Sequence, residues 1–234
     1  MPVATAYRPP TAFSLVPPVI KNLLIINALA FFAQQIPSVA GAVEQYGMLW
    51  PAGAPDVVRQ GEALVRVPDF YPWQLLTSAF LHGSFSHILF NMFGLWIFGM
   101  RIENVLGSRR FLIFYLACVL GASVLQLLVT SYPFWAGDPT AYPVPTLGAS
   151  GGVLGVLAAF GLLYPDEPIY LYFLFPIPAK WLALGYAAFD LFAGATGAAS
   201  GVAHFAHVGG MITGALLIQF WRGRIPFAKP RRLA

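Results

Sequence analysis

The 234 residues are 58% hydrophobic and only 9% charged, with a mean hydropathy of +0.70, against roughly 25% charged residues in an ordinary soluble domain; a water-soluble globule is excluded. One chain of this size has room for about six spans of ~20 residues and short connections. The net charge of +4 does not point to nucleic acid, because the bases are scattered and form no basic stripe with interleaved aromatics. The single cysteine, Cys118, allows neither an intrachain disulfide nor a cysteine cluster for zinc.

In chain order, residues 1–21 read as a Pro-rich cytoplasmic tail that lacks the cleavage pattern of a signal peptide and is retained. Apolar runs follow at Asn22–Ile36, Phe85–Met100, Phe111–Thr130, Ala149–Tyr164, Ala179–Ala195 and Ala206–Trp221. They predict an all-α, polytopic membrane protein, a six-transmembrane-helix bundle over residues 22–221, several of its spans shorter than ~20 residues. The first connection, residues 37–73, is too long for a simple turn and is expected to be functional or ordered on something else. Its Tyr71 and Trp73 suit an aromatic interface belt.

Lysines and arginines near span ends set the sides. Arg101, Arg109 and Arg110 follow the second run, and Arg222, Arg224, Lys229, Arg231 and Arg232 form a basic tail over residues 222–234. Both segments are expected in the cytoplasm. Ser131–Leu147 and Thr196–Ala203 carry no lysine or arginine and are expected outside. The fourth connection departs from this scheme, since Asp166 and Glu167 have only Lys180 nearby. The implied location is the plasma (inner) membrane, multi-pass, with both termini cytoplasmic.

A polar group inside a bilayer needs a partner or a task, because no water is there to satisfy it. All four histidines meet that description, as His82 with His87 in HGSFSHILFN and His204 with His207 in HFAHVGGMITG. Asn91 follows His87 by four residues and shares its helix face. Ser150 opens the fourth run within LGASGGVLG. The second, fourth and sixth helices all begin at the outer face, so His87, Ser150 and His207 are delivered to one depth. A serine meeting a histidine there makes a nucleophile and its general base. At a helix start, the Ser150 N–H is left free for a developing oxyanion, and His87 and Asn91 are further candidate donors.

Each of these residues also has a plainer reading. The glycines around Ser150, with Gly210 and Gly214, form small-residue spacings that let membrane helices approach closely. His82 and His204 read as interfacial or loop-anchoring, Asp190 as a carboxylate reaching the interface, and Glu103 with Arg101 as a helix-end cluster. A metal or haem site is disfavoured, since no carboxylate joins the histidines at matching depth and no His-Glu-x-x-His signature exists.

Taken together, these residues resemble the rhomboid intramembrane serine proteases from about Trp73 to Gly214. Three signatures carry the resemblance: His82-x4-His87-x3-Asn91, Gly148-Ala149-Ser150-Gly151, and Ala206-His207-Val208-Gly209-Gly210 with Gly214 four residues on. ENVLGS at Glu103–Ser108 adds a further family-like element. The resemblance implies Ser150 as nucleophile, His207 as base in a dyad without a carboxylate, and His87, Asn91 and the Ser150 N–H as the oxyanion hole. It implies helix packing through Gly151, Gly210 and Gly214. It further implies a first outer loop lying partly in the membrane, and lateral substrate entry gated by residues 179–203.

Two departures stand out. Gln74 follows Trp73 where many members carry arginine, and Leu154 stands where well-studied members stack a tyrosine on the catalytic imidazole, so the ring needs another support. The resulting expectation is a serine endopeptidase cleaving transmembrane segments of membrane-protein substrates near the outer face. It has the lipid bilayer as its surroundings and no metal, cofactor or nucleic acid. The competing expectation is a catalytically inactive rhomboid-like protein that binds substrate helices.

Overall fold

The computed structural model describes residues 13–171, 174–198 and 201–224. Most of the expected N-terminal tail, together with Lys229, Arg231 and Arg232 of the basic tail, lies outside them.

The chain is mostly helical. Helix α1 runs Pro18–Gln34 and begins earlier than its apolar run indicated, because Pro18 at its first position is already preset for helix. Pro37 opens α2, Pro37–Gly47, so the two helices meet at a bend of 117°. The hairpin β1 (Val57–Gln60) and β2 (Ala63–Arg66) follows, then the short α3, Gln74–Thr77. Helix α4, Phe85–Leu106, is started by Ser84, whose side chain accepts the His87 N–H. Gly107, at φ 76°, ends α4 and turns the chain directly into α5, Ser108–Trp135.

Helix α6 spans Ser150–Leu163. A second hairpin, β3 (Pro168–Leu171) with β4 (Phe175–Pro178), leads to α7, Ala179–Thr196, which ends at the left-handed Gly197. Helix α8 is His204–Trp221. Every expected apolar run is thus largely helical, and among the described residues the two hairpins correct the all-α expectation. By length and composition two helices, α4 and α5, can cross a membrane, or three spans if the bent pair α1 and α2 counts as one.

Helix α6 is the centre of the molecule, with α4, α5, α7 and α8 packed around it. Its glycines and alanines are buried along the whole helix. The core beside it joins Leu95 and Ile102 of α4, Phe111, Phe114 and Tyr115 of α5, Phe160 of α6 and Ile218 of α8. Outward faces remain apolar, with Phe90, Phe192 and Leu216 exposed. Such surface is costly in water and suits a bilayer.

The first connection is ordered on the body of the protein. Leu49 and Thr146 exchange backbone hydrogen bonds of 2.9 and 2.8 Å, tying the connection to the segment that leads into α6. Gln74 is fully buried; its Oε1 accepts the Trp50 N–H at 3.2 Å, and its Nε2 donates to the Gln45 and Asp69 carbonyls. A neutral amide therefore performs the loop anchoring that an arginine would have supplied. Trp73 donates its indole N–H to the Tyr46 carbonyl and stacks on Tyr71.

Two expectations about charge are corrected. Glu103 does not cluster with Arg101. It is buried, accepts the Val19 and Ile20 N–H groups at 3.0 and 2.9 Å and the Ser108 hydroxyl at 2.7 Å, and so caps the first turn of α1. Arg101 instead pairs with Glu167 at 2.8 Å, while Lys180 pairs with Asp166 at 2.6 Å. The acidic fourth connection and the basic end of α4 thus meet at one end of the molecule.

Candidate active site

The N-terminal ends of α4, α6 and α8 and the C-terminal half of α7 converge on one region. Ser150 is the first residue of α6, reached through Gly148 at φ 127°. Its Oγ lies 2.8 Å from Nε2 of His207, in the first turn of α8. The other ring nitrogen of His207, Nδ1, lies 3.0 Å from Oδ1 of Asp190, and Nδ1 of His204 lies 2.7 Å from the same oxygen. Serine, imidazole and carboxylate are therefore in one unbroken line of hydrogen bonds.

His87 comes from the first turn of α4. A Cβ on Gly148 would sit 2.8 Å from both Cε1 and Nε2 of His87 and 3.7 Å from Ser150 Oγ, so this ring edge faces the serine turn. The Gly83 N–H donates to His87 Nδ1 at 3.4 Å. A neutral ring that accepts at Nδ1 carries its proton on Nε2, the nitrogen beside Ser150. Asn91 is buried one turn further along α4. His82 is buried as well, its ring edge-on to His87 with centroids 5.0 Å apart. His82 is therefore not solvated, and its backbone N–H donates to Gln34 Oε1 at 3.0 Å.

The packing glycines bring backbones together. A Cβ on Gly210 would overlap the Gly151 carbonyl oxygen, and one on Gly151 would overlap Ala122 of α5. A Cβ on Gly214 would meet the Gly155 carbonyl. Helices α6 and α8 thus touch main chain to main chain below the Ser150–His207 contact. Gln126 of α5 supports it from the side by accepting the Ala206 N–H at 3.0 Å. Leu154 lies against Leu157, Ala158, Ala183 and Met211, in apolar packing.

Asp190 and His204 correct the sequence reading. Both are buried, with side-chain exposures of 3% and 5%, so neither is solvated. A carboxylate does join the histidines: among the described residues, ligating atoms of Asp190, His204 and His207 lie within 4.8 Å of one another. Asp190 Oδ1 is engaged with both Nδ1 atoms, and His207 with Ser150 through Nε2. The signal for Asp190 was present in the sequence, since an ionisable residue inside an apolar helix is a functional candidate.

The rhomboid domain model matches residues 69–223, and the chain belongs to the rhomboid family. Over 163 residues it is 35% identical to RHOMBOID-like protein 12, mitochondrial, of Arabidopsis thaliana, covering 65% of this chain and 48% of that protein. It is 31% identical over 213 residues to Rhomboid protein 1, mitochondrial, of Saccharomyces cerevisiae, covering 90% and 55%. It is also 37% identical over 92 residues to rhomboid protease GluP of Bacillus subtilis, covering 39% and 15%. The chain spans about half the length of the mitochondrial relatives it matches. Those mitochondrial names overturn the expected plasma (inner) membrane location with cytoplasmic termini.

Proposed function

We propose that this chain is an intramembrane serine endopeptidase that cuts transmembrane segments of membrane-protein substrates through an acyl-enzyme on Ser150. The observation that carries the reading is the 2.8 Å hydrogen bond between Ser150 Oγ and His207 Nε2. A base so placed takes the hydroxyl proton as Oγ adds to the scissile carbonyl carbon. The oxyanion accepts hydrogen bonds from the Ser150 N–H, the Nε2–H of His87 and the Asn91 amide. As the C–N bond breaks, the proton on His207 passes to the leaving amine, and water then hydrolyses the ester by the same route.

In this reading α1, α4, α5, α6, α7 and α8 are six spans, with tails on either side and the first outer loop over residues 37–73. Helix α6 has 14 residues and is therefore ~21 Å long, short of a hydrocarbon core of ~30 Å. With its far end at the opposite interface, Ser150 lies sunk beneath the surface, at the depth of a substrate helix. A mitochondrial membrane is the location that the relatives' names favour. An inactive helix-binding protein is the weaker reading, because both reacting groups are present and in contact.

The test is fluorophosphonate labelling and cleavage of a transmembrane substrate in liposomes by wild type, Ser150→Ala and His207→Ala. Ser150→Ala should lose both signals, and His207→Ala should lose roughly 10²–10⁴-fold in rate, each with thermal unfolding close to wild type. Turnover surviving in Ser150→Ala overturns the assignment.

A further inference from the structure

We infer that Asp190 is a third, positioning member of the catalytic constellation, a carboxylate that fixes the tautomer and direction of the His207 ring. The inference rests on the Ser150–His207 reading above and extends it. Oδ1 of Asp190 lies 3.0 Å from His207 Nδ1 and 2.7 Å from His204 Nδ1. A carboxylate oxygen has no hydrogen to give, so both ring nitrogens donate. A neutral His207 that carries its proton on Nδ1 presents the lone pair of Nε2 to the Ser150 hydroxyl, the tautomer that a general base requires. The opposite tautomer would point an N–H at the hydroxyl and could not accept its proton.

The surroundings hold this arrangement in place. His204 puts a second N–H on the same oxygen and is itself packed edge-on against Phe189, with centroids 5.9 Å apart. At Gly194, one turn beyond Asp190 on α7, an added Cβ would meet Phe205 and His204 at 3.0–3.3 Å, so α7 and α8 are in close contact there. The His204 ring also stands edge-on to the His207 ring, with centroids 6.2 Å apart, so the carboxylate and the second imidazole together set its orientation. During acylation the Ser150 proton moves to Nε2 and then to the leaving amine. Asp190 keeps its two hydrogen bonds and faces the transient imidazolium without taking a proton.

The titratable groups around His207 are Asp190 from α7, His204 on its own helix and His87 from α4. Only Asp190 carries negative charge, so its removal takes away the acceptor that orients the ring. Asp190→Asn should therefore slow fluorophosphonate labelling and substrate cleavage by roughly 10²–10⁴-fold. It should also change the tautomer of His207 read by ¹⁵N NMR. A merely structural role lowers thermal stability but leaves that tautomer in place, and such a result overturns the inference, as does labelling at the wild-type rate.

Where Asp190→Asn does not fold, ¹⁵N NMR of the wild-type protein in detergent decides, with His207 assigned by difference from His207→Gln. A neutral His207 protonated on Nδ1 supports the inference, and one protonated on Nε2 overturns it. Ser150→Ala that still turns over rejects the nucleophile itself, an outcome distinct from any of these.

Discussion

At the residue scale, the site depends on positions where a single atom decides the geometry. Gly148 is one of them, since it combines φ 127° with a His87 ring 2.8 Å from where a Cβ would stand. Gly148→Ala is expected to store roughly 1–3 kcal/mol of backbone strain and to push His87 off the serine turn. Probe labelling should fall by up to the ~10²–10³ that one oxyanion donor is worth, with a modest drop in unfolding temperature; labelling unchanged from wild type would refute the placement of His87. The meeting of Ser150 with His207, and the approach of His87 to the same turn, were legible in the sequence because each residue sits near a helix start. The partners of Asp190 were not, because they are set by the rotation of α7 against α8, and no local spacing encodes that rotation.

Among the elements, the α6–α8 seam governs the distance between the reacting groups. Gly151 and Gly210 meet through main-chain atoms, so Gly210→Ala must drive the helices apart. Overpacking of this kind costs about 1–3 kcal/mol, and separating the two helices lengthens the Ser150–His207 hydrogen bond. Both thermal stability and labelling should drop together, measured on one preparation, and loss of neither would exclude the seam as the spacer. The apolar runs announced the helices correctly but not their ends. Helix α5 continues past its run through Pro133 to Trp135. The first hairpin escaped notice because its four-residue strands, with mostly exposed side chains, show no inside–outside alternation.

For the molecule as a whole, one buried carboxylate joins its first helix to the rest. Glu103 satisfies two first-turn amides of α1 and the Ser108 hydroxyl. Glu103→Ala leaves these donors without their acceptor, at about 1–3 kcal/mol for each buried group left unpaired. Its unfolding temperature in detergent should fall clearly, while the labelling rate below the transition stays near wild type. Equal unfolding temperatures would show that α1 is held by its apolar contacts and the Gln34–His82 hydrogen bonds without Glu103. The carboxylate lies 83 residues after Ile20 in the chain. During synthesis, α1 must therefore wait in an unfinished state until α2, the first hairpin, α3 and nearly all of α4 have been made, and its capping can then be completed before α6, α7 and α8 exist.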